Sequence, residues 1–417
     1  MDQLARRLGV PDAVVIGLGS MLGAGVFVVF APAAAAAGGS GLLLALALAG
    51  FVAFCNATSS ARLAARYPES GGTYVYGRER LGGFAGFLAG WSFVTGKTAS
   101  CAAMALTIGA YLWPAHARVV AVAAVLLLTA VNLRGIGKTA GATRALVAVT
   151  LAVLALVVVV GGLTGAADPA RIGDLAGTPP RGVLTAAGLL FFAFAGYARI
   201  ATLGEEVREP ERTIPRAVPL ALGVVLAVYL VLALVTLSVL GPARLARSAA
   251  PLADVVSAAG QPGLAWVVRA GAVVAVTSVL LALIAGVGRT TLAMARRRDL
   301  PAALAAVHPR HRVPHRAELA VAAVVITVVC LGGLRGAIGF SSCTVLVYYA
   351  VTNAAALTLE PEPGRRLPVR ALAVLGLAGC VLLAVSLPPG SVLAGFGVLA
   401  AGALAYLLRR RLARPAG

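Results

Sequence analysis

The sequence predicts an all-α polytopic membrane protein of about twelve transmembrane helices. Three observations predict it: 60% of the 417 residues are hydrophobic, only 12% are charged, and the apolar residues gather into long uninterrupted runs. Soluble domains sit near half apolar and about a quarter charged. With a mean hydropathy of +0.94, this chain carries more apolar surface than a water-soluble fold can hide.

A helix needs about 20 apolar residues to cross the hydrocarbon core. On that rule the spans fall near 12–36, 41–63, 83–112, 118–133, 143–164 and 182–204, then 215–240, 264–292, 317–333, 336–358, 369–387 and 391–408. Lipid offers no partner for bare backbone, so runs of this kind become helices. A closed β-barrel needs alternating segments of about ten residues, and the sequence has none. The whole of 1–417 reads as one transmembrane domain. Its spans divide into a repeat over about 12–164, a second over about 182–358, and two extra helices over about 369–408.

The net charge of +20 would suit nucleic acid in a soluble protein. Here the basic residues stand between apolar runs, as loop charge does in a membrane protein, so no nucleic-acid partner is expected. Arg6, Arg7, Arg62, Arg66, Arg78, Arg80, Arg134, Lys138 and the clusters within 208–216, 296–316, 365–370 and 409–414 fall on one side of the predicted hairpins. The other side holds only Arg118, Arg171, Arg181, Arg244, Arg247, Arg269 and Arg335. That bias predicts a bacterial cytoplasmic (plasma) membrane protein with both termini in the cytoplasm.

Cys55, Cys101, Cys330, Cys343 and Cys380 form no CxxC pair and are odd in number, which argues against a disulfide framework or a zinc site. The first ten residues and first run lack the cleavage pattern of a secretory signal, so the first span is expected to remain as an anchor.

The first run contains Gly17-Leu18-Gly19-Ser20-Met21-Leu22-Gly23-Ala24-Gly25-Val26-Phe27. As a dinucleotide loop it fails, because no acidic residue follows about 20 positions on. Glycines at this density allow either close helix packing or local unwinding at mid-membrane. Unwinding frees amides that suit a carboxylate and carbonyls that suit an ammonium group. The sixth run supplies a partner, Phe191-Phe192-Ala193-Phe194-Ala195-Gly196-Tyr197-Ala198-Arg199, leading into Gly204-Glu205-Glu206 and Pro210-Glu211-Arg212-Thr213-Ile214-Pro215-Arg216-Ala217. Runs one and six occupy corresponding positions in a five-plus-five inverted repeat, where interrupted helices point to a substrate site.

These residues carry a resemblance. Gly19 to Phe27, Pro68-Glu69-Ser70-Gly71-Gly72-Thr73-Tyr74-Val75-Tyr76 with Gly90-Trp91, the Phe191 to Ala217 stretch, and Arg289 with Ala293-Met294-Ala295-Arg296 before Leu300-Pro301 together resemble the amino acid–polyamine–organocation (APC) transporter superfamily over the first ten spans. The resemblance implies a LeuT-like fold with helices one and six discontinuous. It implies that the amides of Ala24 and Gly25, beside Gly23, hold a substrate carboxylate. The carbonyls of Met21, Phe192 and Ala195, beside Gly196, would hold the ammonium group, and Phe192 would close over the substrate. Cys101, Phe340 and Ser341 would face its side chain.

Two positions depart from the family pattern. Ala198 stands where many members carry a glutamate, and Thr150 stands where proton-coupled members often carry a lysine. Lys97, near the centre of span three, is one of only two lysines beside 33 arginines. An ionisable residue at mid-membrane is costly and is a functional candidate by default. Lysine, unlike arginine, loses its proton when desolvated, so Lys97 is expected to titrate during transport or to contact the substrate carboxylate. Arg199 is a second cation expected within the membrane, with Glu205 or Glu206 as its gate partner. Thr277 and Ser278 stand where sodium-coupled relatives of the fold place hydroxyl ligands. With Lys97 available, a proton is expected as the coupling ion ahead of sodium.

The reading is a secondary amino acid permease working by alternating access, as a proton-coupled carrier or an exchanger. The alternatives are a polyamine or organic amine transporter, disfavoured by two buried cations without a mid-membrane acid, and a non-transporting membrane sensor. An enzyme is not expected, since no His/Asp/Glu cluster lies in the spans and the four histidines sit in loops. The expected partners are a small-molecule amino acid and the lipid bilayer. No cofactor, metal or obligate protein partner is expected.

Overall fold

Glycines and prolines decide where the apolar runs bend. The computed structural model describes residues 8–67, 71–135, 140–173, 178–202, 206–360 and 366–412. The first run is broken: α1 (Val10–Met21) ends at Leu22 and Gly23, neither of them helical, and α2 (Ala24–Val28) leads through Val29 into α3 (Phe30–Arg66). α3 turns at Gly38, whose φ of +73° belongs to the left-handed region that favours glycine, so α3 holds both the end of run one and all of run two.

A short α4 (Thr73–Leu81) precedes α5 (Gly83–Leu112), α6 (Ala117–Leu133) and α7 (Ala140–Leu163). The sixth run is α8 (Pro180–Phe194), a 3₁₀ turn over Ala195–Tyr197, and α9 (Ala198–Ala201). α10 (Pro210–Arg247) starts five residues before the expected 215, because Pro210 sits in its first turn, where no amide partner is needed. Gly241, at φ +68°, and Pro242 end its membrane portion. Then follow α11 (Pro251–Ala258), α12 (Ala265–Arg296), α13 (His315–Leu331), α14 (Leu334–Leu357), α15 (Arg366–Ser386) and α16 (Pro389–Leu412).

Ten segments among the described residues are long and apolar enough to cross a membrane. α5 is not among them, and α13 has only 17 residues. The long α5 carries Lys97 and a row of hydroxyl residues in its middle, which is where it departs from a plain lipid-spanning pattern. The helices sort into two groups. α3 packs along α8 and α10, with α1 against α10, and α5 packs along α12, α14 and α6, with α13 against both α6 and α12.

A buried polar knot ties the second run to the later helices. Asn353 Nδ2 donates to Asn56 Oδ1 at 2.6 Å, Ser59 Oγ donates to Asn353 Oδ1 at 2.7 Å, and Cys380 Sγ reaches Asn56 Oδ1 at 3.3 Å. At the end bearing the arginine-rich loops, Leu8 pairs with the segment after the sixth run. Its amide donates to Glu206 O at 3.1 Å, and Arg208 donates to Leu8 O at 2.8 Å.

Candidate functional site: the broken first and sixth helices

The two breaks face each other. A Cβ on Gly25 would meet Ala193 Cα and Cβ at 2.6 Å, and one on Gly196 would collide with the backbone of Ser20. Glycine is therefore required at both points, where the two backbones come into contact. Val279 of α12 packs on Gly23 in the same way, so that a Cβ there would lie 2.9 Å from the valine's nearest atom. Met21 and Ala24 are buried, and so is Phe192 of α8, at 8% exposure.

Breaking a helix in a membrane leaves carbonyls without partners, and they must find donors nearby. Four side chains supply them. Tyr229 Oη, on α10, lies 2.7 Å from Met21 O and 3.1 Å from Ala193 O. One hydroxyl has one hydrogen, so it serves these two acceptors by turns. Ala195 O accepts from Lys97 Nζ at 3.2 Å and from Tyr349 Oη at 3.3 Å. Farther along the first span, Tyr111 donates to Phe27 O at 2.7 Å.

Lys97 is buried on α5, with the fully buried Cys101 one turn on. It makes no ion pair among the described residues; its bond is to the Ala195 carbonyl. On the next residues of the same helix, Ser100 Oγ and Ser341 Oγ of α14 share a hydrogen bond of 2.6 Å. Phe340 is half-buried beside Ser341. So Met21, Ala195, Gly196 and Lys97 are brought together by direct contact, and Cys101 and Ser341 are joined to that cluster along α5.

Other expected positions fall elsewhere. Arg199 is exposed on α9, and its Nη1 reaches Thr202 Oγ1 at 3.4 Å. It makes no ion pair with Glu206, and Glu205 lies outside the described residues. Thr150 is buried, but its hydroxyl bonds back to Leu146 O at 2.8 Å in its own helix, which leaves it no proton to offer elsewhere. Thr277 and Ser278 are half-buried on α12, next to the Val279 that packs on Gly23.

Four residues were not foreseen. Tyr229, Tyr349 and Tyr111 supply donors to the broken segments from runs that read as plain apolar helix. For Tyr229 and Tyr349 the signal was a tyrosine in mid-span instead of at the interface, where tyrosines usually sit and where Tyr111 stands, at the end of its run. Glu318, in the first turn of α13, is 2% exposed, packs on Gly288 of α12 and leaves Oε2 without a hydrogen bond. It is an acid inside a predicted span, and its position near the span's start hid it among loop charges.

At the arginine-rich end, a latch of polar side chains joins α4 to the loop after α12. Arg78 pairs with Asp299, and Tyr74 Oη donates to Asp299 Oδ2 at 2.7 Å. Burial pushes the Tyr74 phenol well above its usual value, and the bond to Asp299 adds to that. Both residues of α4 stand in or beside the second sequence signature, of which Pro68, Glu69 and Ser70 lie outside the described residues.

The comparisons with known proteins agree with this architecture. Residues 12–362 match the model of the amino acid permease family. An uncharacterized transporter of Mycobacterium tuberculosis is 64% identical over 415 residues, covering 100% of this chain and 94% of the relative. The methylthioribose transporter of Bacillus subtilis is 27% identical, covering 98% and 94%. The crystal structure of MhsT in complex with L-phenylalanine superposes with a TM-score of 0.69 at 14% identity, covering 93% of this chain and 99% of that one, which establishes the fold. The chain belongs to the amino acid permease family of the APC superfamily and has the LeuT-like fold of a multi-pass membrane transporter.

Proposed function

We propose that this protein is a secondary permease that moves amino acids across the plasma membrane by alternating access around the breaks in its first and sixth spans. The observation that carries this reading is the convergence of three break carbonyls, Met21, Ala193 and Ala195, in a buried spot beside the start of α2. Such a spot offers acceptors to an ammonium group and helix-end amides, those of Ala24 and Gly25, to a carboxylate. Phe192 closes over it, while Cys101, Phe340 and Ser341 line the side-chain end.

Lys97 is the coupling group. Two unit charges about 4 Å apart repel by about 4 kcal/mol at an effective dielectric of about 20. A substrate ammonium arriving beside a charged Lys97 therefore drives a proton off it. A proton is the coupling ion ahead of sodium, for which Thr277 and Ser278 remain the candidate ligands. The arginine-rich end, with both termini, faces the cytoplasm.

The test is uptake of labelled amino acids, polyamines and organic amines into proteoliposomes, with and without pH and sodium gradients. Saturable uptake of amino acids that follows the pH gradient is the expected result. Uptake confined to polyamines, or none at all, would sink it. Methylthioribose belongs in the panel, because the relative of that name matches 98% of this chain.

A further inference from the structure

A carbonyl oxygen has two lone pairs. On Ala195 both are in use, one by Lys97 Nζ at 3.2 Å and the other by Tyr349 Oη at 3.3 Å. Under the permease reading, on which this inference rests, the same oxygen is an acceptor for the substrate's amine. An amine that binds there has to displace one of the two donors.

The two donors differ in how firmly they are held. The Tyr349 ring stacks on Tyr197 at 5.0 Å and meets Phe191 and Tyr348 edge-on at 5.7 and 5.1 Å. It has no room to leave. Lys97 ends a flexible four-carbon stem, and its ammonium is tied down by the Ala195 carbonyl. The lysine is the donor that yields.

We propose that Lys97 is a built-in competitor for the substrate's amine, so that the site holds either the lysine's proton or the substrate's ammonium group, and transport exchanges amino acid for proton. As the substrate amine takes Ala195 O, Lys97 goes from ammonium to neutral amine and its proton passes to water on the open side. No other covalent bond changes, and one positive charge replaces another. Cys101 stands one turn on from Lys97 on the same helix, α14 brings the hydroxyls of Tyr348 and Tyr349, and α13, which packs on α5, carries the buried Glu318 against Gly288 of α12. Of the charged groups of α12, Arg289 and Arg296 lie toward its arginine-rich end and Arg269 near its other end, where its Nη1 donates to Tyr111 O at 3.2 Å. Among the described residues no carboxylate pairs with Lys97 to hold two ammonium groups together.

Selectivity follows from the same geometry. A substrate needs a cationic amine to displace Lys97, so N-acetyl amino acids, simple carboxylates and sugars are rejected. The direction of coupling follows as well, because protons and substrate compete for one oxygen instead of binding together.

The experiment uses the full-length protein in proteoliposomes, with the membrane potential clamped by potassium and valinomycin. The probe is a labelled mixture of the protein amino acids. An interior more acidic by one pH unit should drive accumulation toward about ten-fold, as one-for-one exchange requires, and an interior-alkaline gradient should suppress it. Purified wild-type protein should release about one proton per amino acid bound in weakly buffered solution, and none on addition of N-acetyl amino acids. In Lys97→Gln the response to the gradient and the proton release should both vanish. Lys97→Arg, whose charge cannot leave, should lose binding while its thermal unfolding stays close to wild type. Should either variant fail to fold, the wild-type gradient direction and proton release decide alone. Amino acid uptake driven by an exterior-acid gradient, or proton release that persists in Lys97→Gln, would overturn the proposal and leave the permease reading intact. Transport of methylthioribose without any amino acid would overturn both.

Discussion

The breaks in the first and sixth spans solve the same problem in different ways. The first is abrupt: Leu22 and Gly23 leave helical geometry altogether, and Gly23 sits at φ −103°, ψ −140°. The sixth is gradual, with the chain tightening into a 3₁₀ turn over Ala195–Tyr197 and resuming as α9. An abrupt break turns amides outward at a new helix start, whereas a tightened turn mainly displaces carbonyls. The first span thus offers the ends that suit an anion, and the sixth the acceptors that suit a cation. This division gives a zwitterion its orientation, and it places the buried Lys97 on the cation side.

The comparison is broken most severely by forcing the two spans apart. Gly25→Val puts a branched side chain where even a methyl carbon would lie 2.6 Å from Ala193 Cα, a backbone atom that cannot rotate away. Overpacking of this kind costs about 1–3 kcal/mol or more, and here it falls on the substrate site. Transport in proteoliposomes is expected to fall by about 100-fold or more, with the protein still inserted and monodisperse in detergent. Uptake within a few-fold of wild type would show that the two spans do not need this contact.

A smaller effect is expected at Tyr229. Its hydroxyl is the donor that the structure gives to Met21 O and Ala193 O, one on each broken span. Tyr229→Phe leaves buried acceptors unpaired, at a cost of about 1–3 kcal/mol. Half-saturation for substrate should rise roughly 5- to 100-fold, and thermal unfolding in detergent should occur earlier. Tyr349→Phe sharpens the contrast, because Ala195 O keeps Lys97 as a second donor. Its cost should stay near 0.5–1.5 kcal/mol. Equal effects from the two variants would mean that Lys97 does not satisfy Ala195.

How much of this was legible in the sequence depends on the range of the interaction. The glycines of 17–25 and the aromatic–glycine stretch of 191–197 marked both breaks, because unwinding is a local property of the chain. Lys97 stood out because arginine is the usual cation here and lysine is not. The donors that complete the site were not legible. Tyr229 reaches Met21 across 208 residues and Tyr349 reaches Ala195 across 154, and nothing near a mid-span tyrosine states which carbonyl it will meet. The expected partner of Arg199 was not legible either: α9 ends two residues later, and the side chain reaches Thr202 while making no ion pair with Glu206. Glu318 was hidden because a charge in the first turn of a predicted span looks like ordinary loop charge, yet the close approach allowed by Gly288 buries it.

The smallest effect is expected at Thr150, and it is the prediction that bears most directly on where the coupling cation stands. The family pattern often places a lysine at this position, so a hydroxyl there could be a weakened remnant of the same proton site. The geometry says otherwise. The Thr150 hydroxyl donates to Leu146 O at 2.8 Å, within its own helix. A hydroxyl engaged in that way adds little to stability and offers no proton to a moving substrate. Thr150→Val keeps the shape of the side chain and removes only this bond, so the change in stability should stay within about 0.5 kcal/mol. The dependence of uptake on the pH gradient should be that of wild type. If Thr150→Val alters that dependence while Lys97→Gln does not, the coupling group lies on α7, where the family pattern would put it, and the lysine on α5 is a structural donor to Ala195.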